Sequence, residues 1–325
     1  MLFRSSNYAK ELSHALDWPV IVEPPHVGVG ENMVSNSSVM LNKKANELNP
    51  EVVLTIGRVG LSRQVSELIK KSPTVVSCAV PNVITNSVAK QKITGLFRIP
   101  IKQKNENWIK LWKDSGFLIF EKIQKLIKDN KKISNLHVVD YLIKNLPKNS
   151  HIHLSSSFAA RDFDLLISPY YQSPFSNGEV SVSMNRGVNG IDGVVSTAIG
   201  TSLVNDKPTF AFLGDIAAIH DLNSFIIPKL EKTPNITFII TDNNGGGIFN
   251  TLEQSGVEDF ERVYGTPTDV NLSKLLNNLN IESKELKSVE ELKDYMTKPA
   301  GIKVLIINIE SREKEAELRK EILIS

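Results

Sequence analysis

Short apolar runs alternate with amphipathic stretches through the second half of the chain, and this alternation limits the fold more than any other feature. The runs are 151–155, 180–183, 209–213, 235–241 and 303–309. Apolar runs of this length, separated by helix-like stretches, are the pattern of parallel strands joined by crossover helices. The second half is therefore predicted to form a doubly wound parallel sheet.

Three similar runs in the first half, 18–22, 52–56 and 74–77, predict a smaller Rossmann-like sheet. A chain of 325 residues is also too long for one ordinary core. We therefore predict an α/β protein with two Rossmann-like, doubly wound parallel-sheet domains, one over 1–114 and the other over 115–325.

Helices are predicted most clearly between and after these sheets. A charged, periodic stretch over 105–131 predicts a connecting helix whose apolar stripe includes Trp108 and Trp112. Gly116 is expected to interrupt that helix, and a closing helix is predicted over 312–322.

Composition argues against several classes of partner. Lysine and arginine exceed aspartate and glutamate by only 38 − 36 = 2, so no broad basic face for nucleic acid is expected. Cys78, the one cysteine, stands in an apolar run and is expected in the core. The N-terminus has no apolar stretch as long as that of a signal peptide, and no later apolar run is long enough to span a membrane. We therefore expect a cytoplasmic protein without membrane insertion.

The chemical signal lies in two loops that follow successive predicted strands. Gly214-Asp215 comes directly after the run 209–213, and the asparagine- and glycine-rich loop 242–247 comes after the next run. Ligands bind at the carboxyl ends of strands in open α/β sheets. We therefore expect Asp215 and Asn243, separated by 243 − 215 = 28 positions, to converge on one ion.

The residue types in these loops are those of a magnesium and diphosphate site. A carboxylate, an amide oxygen and a loop carbonyl suit Mg²⁺, whose other ligands are water and phosphate oxygens. Gly214 would allow close approach of the backbone, and the helix starting near Ile216 would offer N–H groups to phosphates. Taken singly, each loop is also a common turn or a flexible connection. The loop 245–247 lacks the lysine that follows the glycines of a P-loop, which argues against a nucleotide triphosphatase.

Together the two loops resemble the motif of thiamine-diphosphate enzymes, in which Gly-Asp and Asn-Asn bracket a helix and a strand. Ile216 stands where many of those enzymes have glycine. Three further stretches, 155–162 (SSSFAARD), 185–193 (NRGVNGIDG) and 221–223 (DLN), are similar to motifs of the 2-succinyl-5-enolpyruvyl-6-hydroxy-3-cyclohexene-1-carboxylate synthase family. The resemblance is strongest over 155–252 and weaker toward the N-terminus.

This resemblance implies thiamine diphosphate and Mg²⁺ as cofactors, bound by the domain 115–325, with 1–114 as a central domain truncated at its start. Asp215, Asn243 and the Gly245 carbonyl would hold the metal. Ile191 would be the apolar wedge beneath the bent cofactor. The remaining implied cofactor contacts are Gly214, Ile216, Ile248, Phe249 and Leu252; ordinary core packing is the alternative for the last three.

The family also joins isochorismate to the unit left by decarboxylating 2-oxoglutarate, in menaquinone biosynthesis. Arginine binds such carboxylates with two parallel hydrogen bonds. Arg161, Arg186 and Ser157 match the family's substrate residues. Arg63 matches a further substrate arginine, although Ser62 replaces the basic residue that precedes it there.

Relatives carry an additional N-terminal domain with a glutamate that activates the cofactor, and the sequence here opens after it. We therefore expect little turnover by this chain alone, and a partner that is either another copy or a separate chain supplying the glutamate domain. Two alternatives stay open. One is an acetolactate-synthase-like carboligase, and the other is a non-catalytic cofactor-binding subunit.

Overall fold

The structure is a computed structural model that divides the chain into two compact units. It describes residues 6–26, 30–44, 46–56, 60–79, 91–94, 106–171, 173–185 and 189–324. The first unit comprises 1–124, 164–172 and 176–178, and the second comprises 125–163, 173–175 and 179–325. The predicted boundary between residues 114 and 115 falls inside a single helix. The domain limits 1–114 and 115–325 stay a prediction.

The described elements alternate between strand and helix. The strands are β1 (Val20–Ile21), β2 (Met33–Val34), β3 (Val52–Ile56), β4 (Thr74–Ala79), β5 (Gln91–Thr94), β6 (His151–Leu154), β7 (Ser181–Met184), β8 (Thr209–Gly214), β9 (Ile236–Asp242), β10 (Glu282–Leu286) and β11 (Ile302–Asn308). The α-helices are α1 (Ser6–Leu16), α2 (Ser37–Lys44), α3 (Arg63–Lys71), α4 (Glu106–Asp129), α5 (Asn135–Asn145), α6 (Phe158–Leu166), α7 (Val194–Leu203), α8 (Asp215–His220), α9 (Leu272–Asn278) and α10 (Arg312–Ile324). Short 3₁₀ helices cover Leu222–Phe225, Gly247–Thr251 and Glu290–Tyr295, and a π-helical turn covers Glu261–Gly265.

The first unit contains two small parallel sheets. β1 pairs with β2, while β3 pairs with β4 and β4 with β5. α3 begins where the Ser62 hydroxyl accepts the Val65 N–H at 3.2 Å, which satisfies one of the free donors of the first turn. The core between these elements consists of Val34, Met40, Leu41, Leu48, Val65, Ile69, Val75 and Trp112.

α4 runs without a break through Gly116, so the expected interruption is wrong. A Cβ at this position would lie 2.8 Å from the backbone oxygen of Ser35. The Asn36 side-chain amide also donates to the Gly116 carbonyl at 3.1 Å. The glycine therefore allows the helix to approach a neighbouring backbone closely.

The second unit is built on one six-stranded, all-parallel sheet, which confirms the predicted α/β class. The strand order is β10-β11-β9-β8-β6-β7. Since β7 and β8 lie on opposite sides of β6, the chain changes direction there, and a crevice opens beyond the carboxyl ends of β6 and β8. The loops after β6, β8 and β9, where the sequence places its site residues, all leave this edge of the sheet.

Apolar side chains cover the sheet of the second unit. On one side α7, α8 and α9 pack over β8, β9 and β11, with Phe225 and Phe238 in edge contact at 4.9 Å. A second aromatic group joins Phe163 to Phe175 and Phe212, with ring centres 5.3 and 5.9 Å apart. These clusters fix the strand ends from which the loops project.

No helix within the described ranges combines the length and apolar character that crossing a bilayer requires.

Candidate cofactor site

Asp215 is the best-defined residue of the candidate site. It begins α8 directly after β8 and is only 4% exposed. Its Oδ2 accepts the Gly245 N–H at 2.8 Å, and the Ile216 N–H also donates to this carboxylate. Burial and the neighbouring Asp242 carboxylate nevertheless raise the pKa of Asp215 to about 7. A cation at this position would offset both effects.

Asn243 supplies the second oxygen expected from the sequence. Its Oδ1 is buried, and no hydrogen-bond partner for it lies among the described residues. A Cβ at Gly247 would lie 2.6 Å from the Asn243 side-chain nitrogen, so the absence of a side chain at 247 makes room for the amide. A buried amide oxygen without a partner is costly unless a ligand completes it.

The neighbouring Asn244 has a different role. Its Oδ1 accepts the N–H groups of Thr268 and Asp269 at 3.1 Å, and its side-chain nitrogen donates to Asp269 at 2.7 Å. Asn244 has a positive φ of 57°, a conformation that asparagine tolerates better than most residues. The first asparagine of the pair is thus available for a ligand, while the second holds the loop.

Gly245 and Gly246 are in close contact with the π-helical turn. Gly245 has φ +140°, and a Cβ there would lie 2.2 Å from the Gly265 carbonyl oxygen. The Gly246 N–H donates to that same oxygen at 2.8 Å. Glycine is therefore required for the tight packing of a loop whose Gly245 carbonyl is a candidate metal ligand.

Arg312 holds the same loop from the start of α10, and sequence reasoning missed it. Its side chain is 9% exposed and pairs with Glu261 at 2.5 Å. It also lies against the glycine loop, since its Nε would be 3.2 Å from a Cβ at Gly245. No local motif marks Arg312, because its partners lie 51 or more positions away along the chain.

Three apolar residues of the predicted cofactor pocket lie in or beside the glycine loop. Ile248 and Phe249 are half-buried in the 3₁₀ helix Gly247–Thr251, and Leu252 directly after it is 45% exposed. The Phe249 ring contacts Tyr264 at 5.4 Å between centres. Exposed apolar surface of this kind suits a pocket wall, and these contacts stay predictions.

Ile191 lies in the loop before α7, where its half-buried side chain packs against the core of the second unit. The helix that follows begins after Gly193, which has φ +66°. At the carboxyl end of β8, Gly214 and Ile216 are half-buried on either side of Asp215. All of these residues belong to the second unit.

The substrate residues expected from the sequence are placed less completely. Arg161 is exposed in the first turn of α6, and its Nη1 donates to the Ser157 carbonyl at 3.1 Å. Ser157 joins β6 to α6 with φ +70°. Arg63 is the exposed first residue of α3 in the first unit. Arg186 lies outside the described residues.

Two aspartates of the quoted motifs, Asp162 and Asp221, bind other parts of the second unit. Asp162 is buried, forms an ion pair with Arg319 at 2.5 Å and accepts a hydrogen bond from the Asn135 side-chain amide at 2.5 Å. Asp221 accepts the Ser196 N–H at 2.9 Å, which ties α7 to the segment after α8. The adjacent His220 is exposed.

A row of hydrogen bonds runs along β6 and β7 toward the candidate substrate loop. His151 bonds to Ser181 through Nδ1 at 2.9 Å and to Ser183 through Nε2 at 2.8 Å. His153 bonds to Ser183 through Nδ1 at 2.8 Å and to Asn185 through Nε2 at 2.6 Å. Burial lowers the pKa of both histidines to about 4, so both are neutral at pH 7.

The far end of this row fixes its direction. Thr197 donates its hydroxyl proton to the Gly193 carbonyl at 2.6 Å, so its oxygen accepts the side-chain N–H of Asn185 at 3.3 Å. The Asn185 oxygen must then face His153, which donates from Nε2. Each earlier member therefore donates toward Asn185, the residue directly before Arg186. The row was not predicted, because a histidine and a serine in separate strands form no local motif.

No family model matches the chain. The 2-succinyl-5-enolpyruvyl-6-hydroxy-3-cyclohexene-1-carboxylate synthase of Thermobifida fusca is 32% identical over 269 residues, which are 80% of this chain and 47% of that protein. The synthase of Saccharopolyspora erythraea is 29% identical over 93% of this chain and 54% of its own length. That of Lysinibacillus sphaericus is 31% identical over 87% and 52%.

The chain belongs to the family of these synthases. It spans about half the length of the curated relatives it matches, from 47% to 54%. Membership confirms the resemblance drawn from the motifs. The activity, substrates and partners of the full-length relatives remain to be proposed for this chain.

The candidate site fits a divalent cation with a bound diphosphate. Asp215 supplies a carboxylate oxygen, Gly245 a backbone carbonyl, and Asn243 a buried amide oxygen that no described residue contacts by a hydrogen bond. These are hard oxygen ligands in a set too small to complete the shell of Mg²⁺, which commonly adds water and phosphate oxygens. The residues present therefore fit the group that the motifs predict.

Proposed function

We propose that the chain provides the magnesium- and thiamine-diphosphate-binding part of a carboligase. The reaction proposed is decarboxylation of 2-oxoglutarate and addition of the remaining unit to isochorismate, a step of menaquinone biosynthesis. The observation that carries the cofactor proposal is the buried Asn243 oxygen, which has no partner among the described residues, in a loop whose Gly245 N–H bonds to Asp215. Family membership supports the choice of reaction.

In this proposal the loops after β8 and β9 hold the metal through Asp215, Asn243 and the Gly245 carbonyl. Gly214 would let the backbone approach the diphosphate, and Ile191 would give the cofactor an apolar support. Bound thiamine diphosphate supplies the carbon nucleophile and electron sink that decarboxylation of a 2-oxo acid requires. The protein contributes binding and orientation, which the rigid ends of a parallel sheet provide.

Arg161, Arg186, Ser157 and Arg63 are proposed to bind the carboxylates of the two substrates. Guanidinium groups suit this role because their planar N–H pairs match a carboxylate. Arg161 supports the proposal by its exposure at the carboxyl edge of the sheet, at the change of direction between β6 and β8.

Full catalysis is proposed to need more than this chain. Its relatives are about twice as long, and by resemblance they carry a glutamate that activates the cofactor in a further domain. We propose that another polypeptide or another subunit completes the site. The chain by itself is expected to bind the cofactor weakly.

Calorimetric titration of thiamine diphosphate with Mg²⁺ tests the cofactor proposal. Wild type is compared with Asp215→Asn, which keeps the shape of the side chain and removes its charge, and with the exposed control Asp206→Asn. Loss of binding in Asp215→Asn alone is expected, by at least about 1.5 to 3 kcal/mol for a charged ligand group. Equal binding by Asp215→Asn and wild type would contradict the proposed metal site.

The substrate proposal is tested separately from the cofactor. An acetolactate-synthase-like carboligase would consume pyruvate rather than 2-oxoglutarate. Release of CO₂ from each 2-oxo acid is measured after the chain is combined with the part of a relative that it does not match. Preference for pyruvate would overturn the proposed substrate while leaving the cofactor proposal intact.

A further inference from the structure

The row of hydrogen bonds along β6 and β7 begins at a group that can only donate and ends at a group that can only accept. At the exposed end, the Lys207 ammonium donates to the Ser181 hydroxyl at 3.3 Å. At the far end, the Gly193 carbonyl accepts the Thr197 hydroxyl proton at 2.6 Å. The members from one end to the other are Ser181, His151, Ser183, His153, Asn185 and Thr197. Ends of this kind fix the orientation of every hydroxyl, ring and amide between them.

The pairing of the two strands explains how the row forms. β6 and β7 are parallel, with His151 opposite Ser181 and His153 opposite Ser183. Alternate residues of a strand share one face of the sheet, so these four side chains alternate along a single line. The next position on that line is Asn185, directly after the end of β7. The row therefore connects the sheet to the carboxyl edge, where the candidate site residues lie.

Asn185 is bonded on three sides. His153 donates from Nε2 to its side-chain oxygen at 2.6 Å, and its side-chain nitrogen donates to Thr197 at 3.3 Å. The Ser156 hydroxyl donates to its backbone carbonyl at 2.6 Å. Ser156 directly precedes the candidate substrate residue Ser157. Asn185 thus joins the loop after β6 to the loop after β7.

The loop before α7 is held at both of its ends. It begins at Asn185 and ends at Gly193, the residue that precedes the helix and has φ +66°. Thr197 contacts both, since it accepts from the Asn185 amide and donates to the Gly193 carbonyl. Arg186 and Ile191 stand between these two ends in the sequence. A change at one end of the loop would therefore reach the other through Thr197.

We propose that His153 is a positioning residue, whose bond to Asn185 holds the loop that carries Ile191 in the place where the cofactor needs an apolar support. This inference rests on the proposed function, which gives Ile191 its role. His153 is 1% exposed, where an apolar side chain would pack without needing any partner. Because burial lowers the pKa of His153 to about 4, its ring is neutral at pH 7 and accepts at one nitrogen while it donates from the other.

NMR of the chain labelled with ¹⁵N-histidine tests the direction of the row. His153 and His151 are both expected to carry their proton on Nε2 at pH 7, and replacement of each in turn assigns its signals. With the proton on Nδ1, His153 could not donate to Asn185. That result would overturn the proposal.

Hydrogen exchange tests whether His153 holds the loop, with His153→Leu and His151→Leu as matched variants. Both remove a buried histidine from β6, but only His153→Leu removes a direct bond to Asn185. The reporter is the Thr197 N–H, which donates to the Gly193 carbonyl at 2.9 Å. Its exchange is expected to become about tenfold faster in His153→Leu, the equivalent of one lost hydrogen bond, and to stay unchanged in His151→Leu.

Amides in the middle of β9 exchange through global unfolding, so they correct for any difference in overall stability between the two variants. Equal acceleration of the Thr197 amide in both variants after this correction would overturn the proposal. No ligand is present in this experiment, so its result does not depend on the proposed function.

Titration of thiamine diphosphate with Mg²⁺ measures the effect at the candidate site. The Kd is expected to rise about tenfold in His153→Leu and to stay close to that of wild type in His151→Leu. His153→Gln is expected to restore the affinity, because its side-chain N–H can replace Nε2 as the donor to Asn185. Equal Kd values for His153→Leu and wild type would overturn the positioning role. Failure of wild type to bind would instead contradict the proposed function, while the exchange experiment decides whether His153 holds the loop.

Discussion

At the scale of single residues, Gly245 illustrates how little room the loop after β9 leaves for a side chain. The sequence indicated a glycine-rich loop but gave no reason for three glycines in succession. The structure supplies separate reasons, since Gly245 and Gly246 pack against backbone oxygens of the π-helical turn and Gly247 packs against Asn243. The loop is therefore tightly packed rather than flexible.

Gly245→Ala is expected to destabilise the second unit by about 3 kcal/mol or more, because it combines a positive φ with a collision against the Gly265 carbonyl. Gly256→Ala is the matched control. Gly256 also has a positive φ, of +86°, but no atom of the described residues lies within 4 Å of its Cβ position. Its replacement should cost only about 1 kcal/mol. Urea denaturation measures both, and equal losses would contradict the packing argument.

His153 gives a prediction about pH at the same scale. Its pKa is lowered to about 4 in the folded chain, so the unfolded chain takes up the proton first as pH falls. The stability that depends on a neutral His153 is fully present above the unfolded pKa of about 6.5 and is lost as pH falls toward 4. Between pH 7 and pH 4.5 it amounts to about 2 to 3 kcal/mol.

Denaturation at a series of pH values measures this effect. His153→Gln removes the titrating group and is expected to make the decline in stability shallower between pH 6.5 and pH 4.5. If wild type and variant lose stability in parallel over this range, the histidine is not the group responsible.

At the scale of helices and strands, two glycines inside helices have opposite expected effects. Gly116 in α4 lies against Ser35, whereas the part of the chain that the structure describes places nothing within 4 Å of the Cβ position of Gly200 in α7. Alanine in an open helical position gains up to about 1 kcal/mol over glycine. Gly200→Ala is therefore expected to stabilise the chain.

Gly116→Ala is expected to destabilise it, because the gain in helix propensity is smaller than the cost of about 1 to 3 kcal/mol for forcing two backbones apart. Thermal melting of the two variants provides the comparison. A rise in melting temperature for Gly116→Ala would show that α4 can move away from residue 35 at little cost.

The elements that the sequence predicted are those with apolar runs. β3, β8, β9 and β11 lie within one or two residues of their predicted limits. β10 was missed because it is a polar edge strand, Glu282–Leu286. Its charged side chains suit solvent, and its sequence contains no apolar run. β2 has only two residues, too few for any periodicity.

The candidate site contains residues that the sequence predicted and residues that it did not. Asp215, Asn243 and Gly245 were predicted because they stand in local motifs at strand ends, where topology alone brings them together. Arg312 and His153 were not, because their contacts join positions far apart in the chain. A single sequence contains no direct record of such pairs.

For the whole molecule, the length of the chain leads to a prediction about activity. The purified chain is expected to show no turnover of 2-oxoglutarate with isochorismate, because its relatives are about twice as long. Addition of a polypeptide that carries the unmatched part of the Thermobifida fusca synthase is expected to restore turnover. CO₂ release measures both states, and robust activity of the chain alone would contradict the expectation.

The row of hydrogen bonds from His151 to Asn185 has a consequence for how this sequence can change over generations. Every proton in the row points the same way, so the members depend on one shared arrangement. A lineage that loses Ser183 removes one of the two partners of each histidine at once, while Ser181 and Asn185 remain. Replacing His151 or His153 would afterwards cost less than it does in the intact row, and these positions are expected to be kept together or to vary together among descendants.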